Sequence, residues 1–251
     1  MSPLTALYPL LTGPTASGAL GALPLADRDG RWLGNSVVTS GYLLDATSST
    51  LLMTFLSGFF SVLIGLPLGL ALVTTGPRGL HPNRFLNQLL SAVVNVGRSL
   101  PFIILLVAIM PFTKLIMHTT LGWQGVVVPL TVGAIPFYAR LTESAVGGVE
   151  HGKVEAALMM GASGRQVTWG VLVREALPAL IQGGTVTLIT LIGYSAMAGV
   201  VGGGGLGDLA IRYGYQRYMT DVMVMTVVLI VLIVAVIQLV GDMLSRLVDH
   251  R

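Results

Sequence analysis

Residues 222–240 read VMVMTVVLIVLIVAVIQLV, and only Thr226 and Gln238 interrupt this apolar run. A helix needs about 20 predominantly apolar residues to cross the roughly 30 Å of hydrocarbon in a bilayer. Thr220 and Asp221 stand immediately before the run as a natural N-cap. The run therefore predicts a transmembrane helix over about residues 220–246.

Four more stretches are long and apolar enough to cross a bilayer, at about residues 50–75, 85–112, 121–145 and 176–201. Together with the first run they predict an all-α, polytopic membrane protein with five transmembrane helices. The predicted membrane domain comprises residues 46–251.

The second stretch is the least uniform, because Arg98 and Ser99 stand directly before Leu100 and Pro101. A proline inside a helix removes a backbone hydrogen bond, so we expect a kink at this point. An arginine within a membrane is costly unless it pairs, snorkels or faces a wet cavity. Arg98 is therefore a candidate intramembrane polar site, with a position near the membrane interface as the alternative.

The composition agrees with a membrane protein. Hydrophobic residues make up 53% of the chain, charged residues only 10%, and the mean hydropathy is +0.82, whereas about a quarter of the residues are charged in a soluble domain. The 14 basic residues are scattered through several loops, so nucleic-acid binding is not expected. Prolines and glycines break residues 1–45, which we expect to be a flexible external tail; a mis-assigned start codon is the alternative.

Between the third and fourth stretches lies a polar segment, residues 148–166, which reads GVEHGKVEAALMMGASGRQ. It is rich in Ala and Met, which favour helix, and it carries several charges. These are Glu150, His151, Lys153, Glu155 and Arg165. The pattern predicts a short amphipathic helix outside the bilayer that is available to a partner protein.

The charge distribution favours one topology. If residues 146–175 are cytoplasmic, eight basic residues lie inside and five outside, which agrees with the excess of Lys and Arg in cytoplasmic loops. The inside residues are Arg78, Arg84, Arg140, Lys153, Arg165, Arg174, Arg246 and Arg251, and the outside residues are Arg28, Arg31, Lys114, Arg212 and Arg217. The N-terminus is then outside the cell and the C-terminus in the cytoplasm.

Several motifs are incomplete. Gly147, Gly152 and Lys153 match part of a phosphate-binding loop, but Val154 stands where a magnesium-binding Ser or Thr is required. Residues 202–207 contain the glycines of a dinucleotide fingerprint, yet an apolar helix precedes them instead of a strand. The four histidines lack metal-ligand spacing. We therefore expect no nucleotide, cofactor or metal site in this chain.

The end of the fourth stretch, residues 191–199, reads LIGYSAMAG. Tyr194 and Ser195 can form hydrogen bonds, Met197 is adaptable, and the flanking glycines allow close approach of backbones. This combination suits a gate on a substrate pathway near the membrane midplane. A tightly packed helix end is the alternative explanation.

These residues resemble the permease subunits of bacterial binding-protein-dependent ABC importers, and among them the methionine type. The polar segment carries the family's cytoplasmic coupling motif, which docks into the partner ATPase. The motif maps here to Glu155, Ala156, Ala157, Met159 and Gly161.

The methionine-type likeness rests on residues 98–106, 129–134 and 188–199, within a resemblance that runs from Tyr42 to Arg251. One departure follows the coupling motif: Arg174 stands where the family has a proline, so we expect the next helix to run on further.

The resemblance implies a complex of two copies of this chain, two cytoplasmic ATPases that bind ATP and magnesium, and a lipid-anchored extracytoplasmic solute receptor. The complex would move methionine, L and D, and related amino acids across the bacterial inner membrane by alternating access. This chain would be the transport subunit and not an enzyme. Tyr194, Ser195 and Met197 would lie on the pathway near the dimer axis.

Two other classes are weaker. A secondary transporter driven by an ion gradient normally has carboxylates or broken helices at the midplane, but Glu143, Asp221 and Asp242 fall near the ends of the stretches. A membrane-embedded enzyme would need a nucleophile, a base or a metal set, and none can be assembled within the predicted spans.

Overall fold

A computed structural model describes residues 41–249, so the prediction of an external tail falls almost entirely outside the described residues. The described part is helical, with ten α-helices and no strand. The helices are α1 (Tyr42–Thr75), α2 (Arg84–Ser99), α3 (Phe102–Ala108), α4 (Met110–Met117), α5 (Gly122–Gly147), α6 (His151–Met159), α7 (Gly164–Val167), α8 (Val173–Gly199), α9 (Gly205–Leu209) and α10 (Thr220–Val248). Two π-helical turns follow α7 and α9, at Thr168–Leu172 and Ala210–Tyr215.

Four continuous helical segments are long and apolar enough to span a membrane: α1, α5, the run from α7 through α8, and α10. The pair α2 and α3 makes a fifth span if the two are taken together. The all-α, five-span architecture predicted from the sequence is thus confirmed, with the second span broken. Helix α1 begins at Tyr42, so its first turn takes in residues that we assigned to the tail.

The break in the second span lies where the sequence predicted a kink. Leu100 and Pro101 have extended backbone angles, and the axes of α2 and α3 differ by 101°. Proline disfavours the helical region for the residue before it, which explains why α2 ends at Ser99. The prediction of one span over residues 85–112 was wrong in extent, because α3 already ends at Ala108.

Helix α1 packs closely along α5, and two glycines make this approach feasible. A Cβ on Gly69 would lie 2.5 Å from the carbonyl oxygen of Ala139 and from the Cβ of Thr142, and one on Gly65 would lie 3.1 Å from the carbonyl oxygen of Ile135. Small residues four apart allow such backbone contact in membranes. The two glycines therefore let the backbones of α1 and α5 pack against each other.

Two of the four clusters of buried apolar side chains in residues 41–249 join the same three long helices. The α3 cluster consists of Met53, Phe102, Leu106, Val126, Val127, Leu130, Ala134, Leu191 and Ala198. The α6 cluster consists of Leu70, Val146, Val154, Ala157, Val167, Leu172, Ala176 and Leu180. Each joins α1, α5 and α8, so these three helices form the frame that holds both regions.

Helix α10 leans on α8 where Gly241 meets Thr185, since a Cβ on Gly241 would lie 2.1 Å from the Thr185 hydroxyl oxygen. Most of its remaining surface is exposed and apolar, which suits contact with lipid. The predicted N-cap was wrong: Met219 occupies that position. Asp221 instead lies in the first turn, where a carboxylate is favoured by the helix dipole.

Candidate functional site

The polar segment predicted to be a helix does form one, α6. Its attachment to the membrane body depends on Val154 and Ala157, which are three residues apart and both buried. Side chains at this spacing share one helix face. That face joins the α6 cluster, whose members on α8 and the preceding π turn include Leu172, Ala176 and Leu180. The opposite face of α6 is left open.

Gly161 ends α6 through its backbone conformation. Its φ is +84°, in the left-handed region that residues with a Cβ adopt only at a cost. The Gly161 N–H donates to the carbonyl of Leu158 at 2.9 Å, and the Ala162 N–H donates to that of Ala157 at 3.1 Å. This pair of bonds is a Schellman motif, which satisfies carbonyls at a helix end. The conformation of this helix end thus explains why the predicted coupling motif has a glycine at position 161.

The open face of α6 carries both charge and apolar surface. Glu155 is 66% exposed, and its carboxylate lies 3.5 Å from Nε2 of His151. Ala156 is exposed as well, while Met159 and Met160 are 89% and 83% exposed. Large apolar side chains this open to solvent are typical of a surface that a partner covers.

Sequence reasoning missed Met160, although the adjacent pair of methionines was a usable signal. Of the predicted coupling residues, Glu155, Ala156 and Met159 lie on the open face, Ala157 is buried against the body, and Gly161 shapes the turn. The set therefore divides into residues on the exposed face of α6 and residues that hold the helix against the body or end it.

After α6, Ser163 begins the next helix with a capping box. Its hydroxyl accepts from the Gln166 N–H at 3.4 Å, and its own N–H donates to the Gln166 side-chain oxygen at 2.8 Å. From there helix continues through the π turn to Gly199, and Arg174 is the second residue of α8. The expectation that this helix runs on past Arg174 is confirmed.

An ion pair also connects α6 to α8: the Lys153 ammonium donates to the Glu175 carboxylate. Both side chains are partly exposed, so the pair itself contributes little stability. Its position matters more, because α8 is the helix that carries the predicted gate. Helix α6 therefore contacts α8 in two ways, through the ion pair and through the α6 cluster.

The three predicted gate residues have different surroundings. Met197 is 49% exposed, whereas Ser195 is buried and donates its hydroxyl to the carbonyl of Ile192 at 2.7 Å. Tyr194 is half-buried and stacks on Phe102 of α3, with ring centroids 4.5 Å apart and ring planes at 2°. Tyr194 and Met197 are thus available to a solute, and Ser195 is engaged by the backbone.

Arg98 and Tyr194 line the same pocket, although they are far apart in sequence. Its volume is about 140 Å³, and its walls come from the end of α2, from α3, α5 and α8. The pocket thus joins two residues that the sequence singled out for separate reasons.

The glycines that follow the predicted gate serve close packing. A Cβ on Gly199 would lie 2.4 Å from the backbone nitrogen of Asp208, and one on Gly207 would lie 2.4 Å from the Cα of Ala196. These contacts hold α9 against the end of α8. The packed helix end that we left open as the alternative therefore describes this part of the stretch.

The chain is similar to transport proteins over most of its length. A family model described as a binding-protein-dependent transport system inner membrane component matches residues 61–251. A probable D-methionine transport system permease protein of Vibrio cholerae is 53% identical over 214 residues, which are 85% of this chain and 95% of that protein. A protein of the same description from Pasteurella multocida is 50% identical over 206 residues, 82% of this chain and 95% of the relative.

Among solved structures, the chain is similar to one of the methionine ABC transporter MetNI in an inward-facing conformation. The TM-score is 0.83 at 48% sequence identity, and the match covers 84% of this chain and 98% of the solved one. The region matched by the family model contains α6, its open face and the pocket between Arg98 and Tyr194.

Proposed function

The chain belongs to the family of binding-protein-dependent transport system inner membrane components, and from this premise we propose that it conducts methionine, L and D, and related amino acids into the cytoplasm. It is the permease subunit of an ABC importer and a multi-pass inner membrane protein. The main support for methionine as the substrate is the identity of 53% over nearly the full length of a relative described as a probable D-methionine permease.

The open face of α6 is the proposed docking surface for the partner ATPase. Glu155 supplies a charge for hydrogen-bonded contact, and the exposed Met159 and Met160 supply adaptable apolar surface. Ala157 and Gly161 hold the helix in place on the permease side. The division of the motif into a held face and an open face supports this role.

The working assembly is proposed to contain two copies of this chain, two cytoplasmic ATPases and an extracytoplasmic lipoprotein that delivers the solute. The ATPases bind ATP and magnesium, and this chain needs no cofactor. Since α6 docks to a cytoplasmic partner, the N-terminus lies outside and the C-terminus inside. The excess of basic residues on the side of α6 supports this orientation.

Transport by alternating access requires that ATP binding shift the permease between two states. A ligand can shift such an equilibrium only by its differential affinity for the two states. We propose that the ATPase pair moves α6, and that the Lys153–Glu175 pair and the α6 cluster transmit the motion to α8. Tyr194 and Met197 on that helix then open or close the pathway.

The substrate proposal is tested by uptake into proteoliposomes that contain the permease–ATPase complex, with purified receptor outside and ATP inside. We expect uptake of radiolabelled L- and D-methionine that depends on ATP and survives ionophores that collapse ion gradients. Uptake that instead needs a proton or sodium gradient and no ATP would favour the secondary transporter. A complex that hydrolyses ATP but takes up no methionine would contradict the proposed substrate.

The coupling proposal is tested by co-purification. Glu155→Arg reverses a charge on the open face and should release the ATPase while the permease stays folded, because exposed substitutions have little effect on stability. Glu150→Arg makes the same charge change before the motif and should retain the ATPase. Retention of the ATPase with normal ATP-driven uptake in Glu155→Arg would contradict the role of Glu155.

A further inference from the structure

We propose that the pocket between Arg98 and Tyr194 binds the carboxylate of the transported amino acid, with the Arg98 guanidinium as its counter-charge. The inference rests on the proposed substrate class. Beyond that function, it places a solute site inside the permease and names the chemical group that the site recognises.

The position of Arg98 makes its charge unusual. Arg98 is the fifteenth residue of α2 and lies about 21 Å along the helix axis from Arg84, at 1.5 Å per residue. Within residues 41–249 no carboxylate forms an ion pair with it. Arg98 is exposed in the single chain, and an arginine in a membrane-spanning segment without a carboxylate partner is a candidate functional residue.

The pocket offers a single positive charge, Arg98, among aromatic and apolar side chains. Aromatic rings of Phe102, Phe137 and Tyr194 line the pocket, and none of its other lining residues is charged. The Tyr194 hydroxyl makes no hydrogen bond to the described part of the chain, so it is free to donate one. Arginine binds carboxylates through two parallel hydrogen bonds, which are stronger than those between neutral groups.

The volume restricts what the pocket can hold. Pockets that enclose a whole small ligand usually have about 300–1,000 Å³, whereas this one has about 140 Å³. It has room for the carboxylate and α-carbon of an amino acid, and the side chain would extend into the pathway. The site therefore recognises what amino acids share rather than the thioether of methionine.

Two glycines in the lining allow the walls of the pocket to pack closely. Gly97 lies against Pro136, where a Cβ would approach to 2.6 Å, and a Cβ on Gly133 would lie 3.3 Å from Leu105. The stacked pair of Phe102 and Tyr194 joins the pocket to α8, the helix that the ATPases are proposed to move. Occupancy of the pocket and the state of the pathway are thereby coupled through Tyr194.

The test uses the absence of cysteine from the chain. Leu100 lines the pocket and is 45% exposed, so Leu100→Cys provides a single reporter in the permease–ATPase complex, studied without receptor. Its labelling by N-ethylmaleimide is followed by intact mass of this chain. L-methionine should slow the labelling, and methioninol, which has an alcohol in place of the carboxylate, should need a roughly 10- to 100-fold higher concentration for the same effect.

On the protein side, Arg98→Gln should raise the methionine concentration for half-protection by a similar factor of about 10 to 100. Arg98→Lys keeps the charge but lacks the planar guanidinium, so its methionine concentration for half-protection should lie between those of the native chain and Arg98→Gln. Arg84→Gln, the same substitution at the other end of α2, should leave protection unchanged.

Equal protection by methionine and methioninol in the chain with native Arg98 would overturn the inference, whether or not the Arg98 variants fold. Protection by phosphatidylglycerol but not by methionine would overturn it too, since the pocket would then be a lipid site. If ATP-driven methionine uptake is intact in either case, the proposed function stands without this site. A complex that transports no methionine refutes the proposed function itself.

Discussion

The conformation of Gly161 predicts a specific response to substitution. A Cβ at this position would meet nothing within 4 Å, so Gly161→Ala is not opposed by lack of space. It is opposed by the φ of +84°, because a left-handed conformation costs an L-residue about 1–2 kcal/mol. The free energy needed to open the end of α6 should fall by the same amount, so this end should open more often.

Gly152→Ala is the matched control. Gly152 lies in the same helix, and a Cβ there also meets nothing within 4 Å, but its φ is not in the left-handed region. Alanine is favoured over glycine within a helix by about 0.5–1 kcal/mol, and by less in the first turn, where Gly152 lies. The two substitutions should therefore have opposite effects on the stability of α6.

Hydrogen exchange measured by mass spectrometry on the permease without ATPase gives the assay, since local opening governs exchange in such segments. Peptides covering residues 155–165 should exchange about 5- to 30-fold faster in Gly161→Ala, the factor equivalent to 1–2 kcal/mol. Gly152→Ala should show equal or slower exchange. The exchange rate of Gly161→Asn should be closer to that of the native chain, because asparagine tolerates the left-handed conformation better than alanine does. Equal exchange in Gly161→Ala and the native chain would refute the argument from φ.

Three further substitutions have defined outcomes. Ala157→Glu would place a carboxylate within the α6 cluster and should detach α6 from the body, seen as faster exchange, whereas Ala156→Glu on the exposed face should not. Met197→Glu should abolish uptake while the ATPase still co-purifies; unchanged uptake would remove Met197 from the pathway. Gly69→Ala should cost about 1–3 kcal/mol because its Cβ would lie 2.5 Å from α5. It should lower the thermal aggregation midpoint in detergent, and Gly147→Ala, which meets open space, should not.

The two parts of the candidate site were open to sequence reasoning to different degrees. The coupling helix could be predicted because its residues are contiguous and their pattern differs from the apolar runs beside them. Its open face could not be fully assigned, since only packing reveals that Ala157 points inward and Met160 outward. For Ser195, a polar residue type suggested a pathway role, while the structure shows its hydroxyl donating to Ile192.

Residue pattern alone was enough to predict the all-α membrane architecture, the break before Pro101 and the position of α6. Those features follow from local properties, namely apolar length, the geometry of proline and helix propensity. In contrast, the shared pocket of Arg98 and Tyr194, which are 96 positions apart in the chain, becomes visible only in the folded structure. That juxtaposition depends on how α2, α3, α5 and α8 pack around the bend of 101°, and packing between distant segments leaves no local signal in a single sequence.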